Sequence, residues 1–288
     1  MSVNIYINML DKDTTDKLYD FVLNEPKTIQ EISQFLGKSW LTASRYVEKL
    51  VPQGVIGMRT FRGGTQGALK IVYTKSRLQN LSATQSYIRE RISGGTKKAD
   101  FSPSEIFQFA QKKEAFTIPT HDYTQNFANM KKHFLSAQSE MLVFSGNLSF
   151  LYASDGEQKI LDVFAQLAKR GVTIKILCRV EMHGLDILNQ LLAINTQLGV
   201  DRIFVRHAYH PLRADIIDNR MISCAETLRG TGFGEDEQSK DISIIYKIYD
   251  EQWISFISRL FWEYYSGAIS AQERIALFTK LRESTQYP

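Results

Sequence analysis

The sequence predicts an α/β protein in two parts: a small basic head of three short helices and a β-hairpin, and a larger body of strands alternating with helices. Three observations carry this. Residues 14–77 hold three helically periodic apolar stretches, then two strand-like runs around a glycine-rich tip. From residue 121 onward, continuous apolar runs alternate with amphipathic helical ones, the pattern of a sheet covered on both faces. Positive charge is concentrated in one stretch: residues 27–98 contain 13 Lys and Arg against three acids, a net +10 in a chain of net +4, so the remainder sums to −6.

In the head, Thr14 to Leu23 carries Leu18, Phe21, Val22 and Leu23, and Pro26 closes it. Thr28-Ile29-Gln30-Glu31 opens a second helix over Ile29 to Leu36, and Gly37 ends it. Ser39 then caps a third helix, its hydroxyl able to accept orphan backbone N–H groups. Ala43, Tyr46, Val47 and Leu50 form the apolar side of that helix, and Pro52 and Gly54 terminate it. Trp40, Thr42, Arg45 and Lys49 are left mainly on the other side, where a guanidinium can fork onto guanine or phosphate and Lys49 can meet phosphate. Taken alone, this reads rather as an ordinary surface helix with a solvated charged face. Val55 to Phe61 and Leu69 to Thr74 follow as strands, joined by Arg62-Gly63-Gly64-Thr65-Gln66-Gly67. Arg59, Arg62 and Lys70 make this hairpin basic.

The order of three helices and a basic hairpin over residues 14–77 resembles the winged helix-turn-helix of archaeal and bacterial transcription regulators. That resemblance implies double-stranded DNA as the partner. The expected contacts are Ser39, Trp40, Thr42, Arg45 and Lys49 on the third helix, with Arg59, Arg62 and Lys70 in the wing. Charge confined to this region fits a head that meets phosphate while the body does not.

At 288 residues and 43% hydrophobic, the chain can bury a sizeable core. It has no apolar run behind N-terminal basic residues and no uninterrupted apolar stretch of about 18 residues. A cytoplasmic protein that neither enters nor spans a membrane is therefore expected. Cys178 and Cys224 sit inside strand-like apolar runs and read as buried free thiols, not nucleophiles or metal ligands. No cofactor is called for.

Taking residues 1–77 as the head, residues 78–120 read as a linker, with Ser93-Gly94-Gly95-Thr96, Pro103 and Pro119 as breaks. Short helices are expected there over Leu81 to Arg91 and Ser104 to Lys113. The body, 121–288, opens with a helix over Tyr123 to Ser139, followed by a strand over Met141 to Ser145. A helix over Ile160 to Lys169, a strand over Val172 to Cys178 and a helix over Leu185 to Leu198 come next. Strands over Arg202 to Arg206, Ala214 to Ala225 and Ile242 to Asp250 precede helices over Glu251 to Ser266 and Ala271 to Glu283. The stripe Trp253, Phe256, Leu260, Phe261 and Tyr264 reads as core or as a dimer face. Gly230-Thr231-Gly232-Phe233-Gly234 runs into Glu235-Asp236-Glu237 and a strand, so it reads as a surface loop, not a phosphate cradle. His207 and His210 lack a third ligand at metal-binding spacing, so no metal site is expected.

The segment from Arg206 to Asp218, with the strand-helix-strand before it, resembles the phospholipase D-like fold. Aligning the motif aspartate with Asp218 puts Arg213 at the family lysine and Pro211 at the catalytic histidine, with His210 displaced by one. Ala225 and Glu226 replace the later Gly-Ser, and the chain has one copy of the motif. Because the family attacks phosphorus through that imidazole, the resemblance implies a non-catalytic body. Arg213 and Asp218 are expected to pair in the old cleft or to meet a small anionic effector there, with His210 turned away from them. A basic winged helix followed by such a domain resembles the TrmB-like archaeal regulators over roughly residues 14–266. The sugar-sensing members hold ligand with a further C-terminal region, which the two last helices here do not supply, so sugar sensing is not implied.

Three functions are open at this point. A sequence-specific DNA-binding regulator, acting as a homodimer with a C-terminal sensor or dimerisation domain, is the leading one. A phosphodiesterase or nuclease using His210 as nucleophile with Arg213 and Asp218 in support is the second, and a winged-helix protein-interaction adaptor is the third. The charge window favours the first over the third, and Pro211 with Glu226 favours it over the second.

Overall fold

The computed structural model describes residues 12–23, 26–53, 56–62, 68–74, 81–120, 122–229 and 241–285. The chain forms two compact units, Met1–Asn80 and Leu81–Pro288.

The first unit is a winged helix-turn-helix: α1 (Lys12–Leu23), β1 (Lys27–Thr28), α2 (Ile29–Leu36), α3 (Trp40–Leu50), β2 (Ile56–Arg62) and β3 (Ala68–Thr74). Its antiparallel sheet runs β1-β3-β2, with Lys27 opposite Val72. At the start of α2, the Glu31 N–H donates to the Thr28 hydroxyl at 3.1 Å and the Thr28 N–H donates back to the Glu31 carboxylate at 2.7 Å. Gly37 ends α2 at φ +60°, a left-handed turn that a residue with a Cβ enters at a cost. The turn delivers Ser39 as the cap of α3. Leu18, Val22, Ile29, Ile32, Val47 and Leu50 close the core under Ile56 and Val72. The two-residue strand β1 has no sequence signal of its own; its pairing to β3 creates it. The tip between β2 and β3 lies outside the described residues.

The second unit carries α4 (Ala83–Ser93), α5 (Ser104–Phe107), β4 (Lys113–Pro119), α6 (Tyr123–Leu135), β5 (Glu140–Phe144), α7 (Ile160–Lys169), β6 (Thr173–Cys178) and α8 (Leu185–Leu198). After these come β7 (Ile203–His207), β8 (Ala214–Ile217), β9 (Met221–Leu228), β10 (Ile242–Ile248), α9 (Glu251–Gly267), β11 (Ile269–Ser270) and α10 (Ala271–Thr285). One eight-stranded sheet runs β11-β7-β6-β5-β8-β9-β10-β4; β5, β6 and β7 pair in parallel and the remaining pairs are antiparallel. Neighbouring strand residues face opposite sides. Val143 thus joins Phe164, Leu167 and Leu188 on the α6, α7 and α8 side. Phe144 meets Phe261 of α9 edge-on at 5.2 Å on the other.

Three sequence expectations change here. The stretch taken as a linker belongs to this unit: β4 pairs with β10 from Lys113 opposite Ile248 to Pro119 opposite Ile242, and Arg89 of α4 meets Glu263 at 2.6 Å. The helix expected over Ser104 to Lys113 stops at Phe107, because Lys113 already opens an edge strand whose partner lies over 100 residues away. The single strand expected over Ala214 to Ala225 is a hairpin. Asp218 and Asn219 turn it with φ of +49° and +52°, the two left-handed positions of a type I′ turn. Of the two readings of the aromatic stripe, core is the one seen: Trp253, Phe256, Leu260 and Phe261 are buried within the unit. Cys178 and Cys224 are buried thiols; burial raises both, Cys178 to about 12, which makes them inert.

Candidate functional site

Ser39 caps α3 by accepting the Thr42 N–H at 3.2 Å, and the two hydroxyls lie 2.9 Å apart. Ala43, Ser44, Val47 and Leu50 face inward. What remains outside is sorted by the i, i+4 spacing of a helix. Trp40 and Glu48 fall in one row, with the buried Ser44 between them, and Leu41, Arg45 and Lys49 in the next. Lys70 reaches from β3 onto the first row, donating to Glu48 at 2.8 Å and to Ser44 at 3.1 Å, with its ammonium 5.6 Å from the centre of the Trp40 ring. That hydrogen bond holds the Glu48 carboxyl below its ordinary value.

Lys70 therefore ties the hairpin to α3 and cancels the acid on the helix. Arg45, Lys49 and, on β2, Arg59 are exposed. Leu41, 55% exposed, stands in the same row as Arg45 and Lys49 and was absent from the expected contacts; its position four residues before Arg45 is the signal for it. Arg62 is the last residue of β2, opposite Ala68.

In the second unit His210, Arg213 and Asp218 do not form one cleft. His210 lies in the irregular segment before β8, is 1% exposed, and sets Nε2 3.2 Å from the Leu177 carbonyl with its ring edge-on to Phe144 at 5.1 Å. Burial pulls its pKa down to about 4 and keeps it neutral at neutral pH. It is therefore enclosed, and strand alternation does not govern where it points. Pro211 packs on Gly95, where a Cβ would come within 2.8 Å of its ring.

Arg213 lies across Gly146, just beyond β5; a Cβ on Gly146 would sit 2.2 Å from Nη2. Its Nη1 donates to the Leu212 carbonyl at 2.6 Å. The backbone N–H of Arg179 donates to the Gly146 carbonyl at 2.8 Å, and the Arg179 charge is felt at Arg213. Burial and then the Arg179 charge both disfavour the charged form of Arg213. Lys98 stands in the same field, donating to Thr227 at 3.3 Å; burial lowers its pKa and Arg213 adds to that, against Glu226. Glu226 accepts from the Ser102 hydroxyl at 2.6 Å and from the Tyr246 hydroxyl.

Asp218 occupies the far end of β8, roughly 16 Å from Arg213 at about 3.3 Å per residue. Its carboxylate accepts the N–H groups of Gln138 at 3.0 Å, Ser139 at 2.8 Å and Glu140 at 2.9 Å. The Ser139 hydroxyl at 2.7 Å and Arg220 at 2.7 Å complete the ring. Burial alone would raise this carboxyl, but the donors outweigh it and pull the pKa to about 2. Asp218 is a structural cap on the entry to β5, and the expected Arg213–Asp218 pair does not form. The imidazole, cation and carboxylate of phosphodiester chemistry are not assembled.

No protein-family profile and no curated protein matches the chain. Among solved structures it is similar to Nuc, a phospholipase D family member from Salmonella typhimurium, at 11% identity and a TM-score of 0.40 over 55% of this chain and 98% of that one. It is also similar to TrmBL2, an archaeal chromatin protein described with a novel mode of DNA binding, at 15% identity and a TM-score of 0.38 over 92% of this chain and 95% of that one. At these values neither likeness carries a function across. Among the described residues no helix is long and apolar enough to cross a membrane.

Proposed function

We propose that this chain is a DNA-binding regulator whose winged helix-turn-helix reads duplex DNA and whose second unit is a non-catalytic sensor and dimerisation body. The observation that carries the reading is the Lys70–Glu48 pair: with the acid of α3 met from the hairpin, Leu41, Arg45 and Lys49 on α3 and Arg59 on β2 offer exposed basic groups and an apolar contact. A phosphate backbone asks for the charge, and a thymine methyl can meet the leucine. One short helix covers few base pairs, so a two-fold dimer is part of the proposal. The buried His210, remote from Asp218, supports the non-catalytic reading over a phosphodiesterase.

The test is duplex binding by fluorescence anisotropy across a salt series. Wild-type affinity is expected to fall steeply with salt, and Arg45→Ala with Lys49→Ala to lower the log–log slope by about two. Binding that is weak, insensitive to salt and unchanged in the double variant would turn the reading toward the protein adaptor. A monomer by light scattering, both free and on DNA, removes the dimer. Phosphodiester turnover lost in His210→Ala removes the non-catalytic body.

A further inference from the structure

Between α6 and the antiparallel half of the sheet lies a cavity of about 500 Å³. That is the size of sites that enclose a small organic molecule. The sequence explains the space. Where β5 and β6 present Val143, Ile174 and Ile176 to the helices, β9 and β10 present Ser223, Ala225 and Ser243, and α6 answers with Asn126 and Asn129. Small and polar side chains on both sides leave the layers unfilled. Phe116, Ile118, Met130 and Phe150 make the cavity walls apolar.

Its ionisable lining is unbalanced. Asp215 is the carboxylate among the lining residues, and His133 Nε2 already meets it at 2.6 Å. Against it stand Lys132, Lys247 and Arg213. Lys247 is engaged with Glu114 at 3.5 Å and lies 5.2 Å from the centre of the Phe116 ring. Arg213 differs: among the described residues it has no carboxylate partner, only the Leu212 carbonyl beside it. Next to it Arg179 Nε is buried without a hydrogen-bond partner. A half-buried guanidinium with no carboxylate beside it is costly, and an incoming anion removes that cost.

We infer that this cavity binds an amphipathic organic monoanion, its apolar body against Phe116, Ile118 and Met130 and its acidic group on Arg213. The inference deepens the sensor reading and rests on it only for the consequence at DNA; the cavity and its cation stand independently.

The probe is 1-anilinonaphthalene-8-sulfonate, an apolar ring system bearing one sulfonate, paired with its uncharged counterpart N-phenyl-1-naphthylamine. Fluorescence titration of the full chain without DNA is expected to give one saturable site for the sulfonate. Arg213→Gln should weaken the sulfonate at least about tenfold while shifting the neutral dye less than about twofold, the signature of a charge contact. Ala225→Phe, which fills the cavity, should remove both dyes. Ser243→Phe fills its other part and replaces that variant if Ala225→Phe loses its cooperative thermal transition. Equal loss of both dyes in Arg213→Gln, or sulfonate binding intact in folded cavity-filling variants, overturns the inference. Sulfonate binding that behaves as expected but leaves DNA affinity unmoved upholds the cavity and removes the sensor reading.

Discussion

The two units place positive charge in opposite ways. In the winged helix-turn-helix, Arg45, Lys49 and Arg59 stand in solvent, and the acid among them is met by Lys70 from the hairpin. In the body, Arg213 lies half-buried across Gly146 within the field of Arg179, beside a neutral His210. A solvated cation costs little and acts weakly at any one point, which suits a long polyanion met at many phosphates. A desolvated cation is costly unless a specific group meets it, which suits a small ligand held at one place. The same residue types thus imply two kinds of partner, and burial decides which.

The largest test of this contrast is the acid response of the body. His210 has a folded pKa near 4 against an ordinary 6.5, so the unfolded chain binds the extra proton between those values. Stability is full above pH 6.5 and falls as pH drops toward 4, by up to about 3 kcal/mol. Urea unfolding at a series of pH values should show this slope, and His210→Phe should flatten it. A wild-type slope that survives the substitution places the titrating group elsewhere.

Next in size is Asp218. Removing its ring of donors in Asp218→Ala should cost about 2–3 kcal/mol, with the left-handed backbone adding to the loss. Its depressed pKa puts its pH window lower: the contribution is present above the ordinary 3.8 and is lost as pH falls through about 2. Asp218→Asn tolerates the turn and should abolish that window with a smaller loss at neutral pH. Equal costs for the two variants would mean that geometry, not charge, matters there.

Ser39→Ala in the head should cost about 1 kcal/mol, the worth of one helix cap, visible in chemical denaturation and as weaker DNA binding through fraying of α3. The smallest stability effect is expected for Lys70→Gln, under about 1 kcal/mol for a pair this exposed. Its effect on DNA is the sharper measurement. If Lys70 acts by cancelling Glu48, the double variant Lys70→Gln with Glu48→Gln regains the affinity that the single one loses; if it touches phosphate, the double variant stays weak.

The features legible in the sequence are those that local physics sets. Ser39 caps α3 because a hydroxyl within reach of the Thr42 N–H works wherever the helix sits, and Leu185–Leu198 is helical by its own spacing of apolar residues. The exposed face of α3 was readable on the same grounds, since the apolar positions choose the inside and leave Arg45 and Lys49 outside. What only the tertiary structure decided depends on partners far along the chain. Lys113–Pro119 is a strand because β10 lies beside it, although its residues form no strong strand pattern. Asp218 was readable as a motif aspartate, but a carboxylate at a left-handed position satisfies backbone donors 80 residues earlier, and that took it out of Arg213's reach. His210 and Arg213 are close in sequence, yet one became enclosed against Phe144 and the other came to line a cavity. Burial is a property of everything packed around a side chain, and no local pattern specifies it.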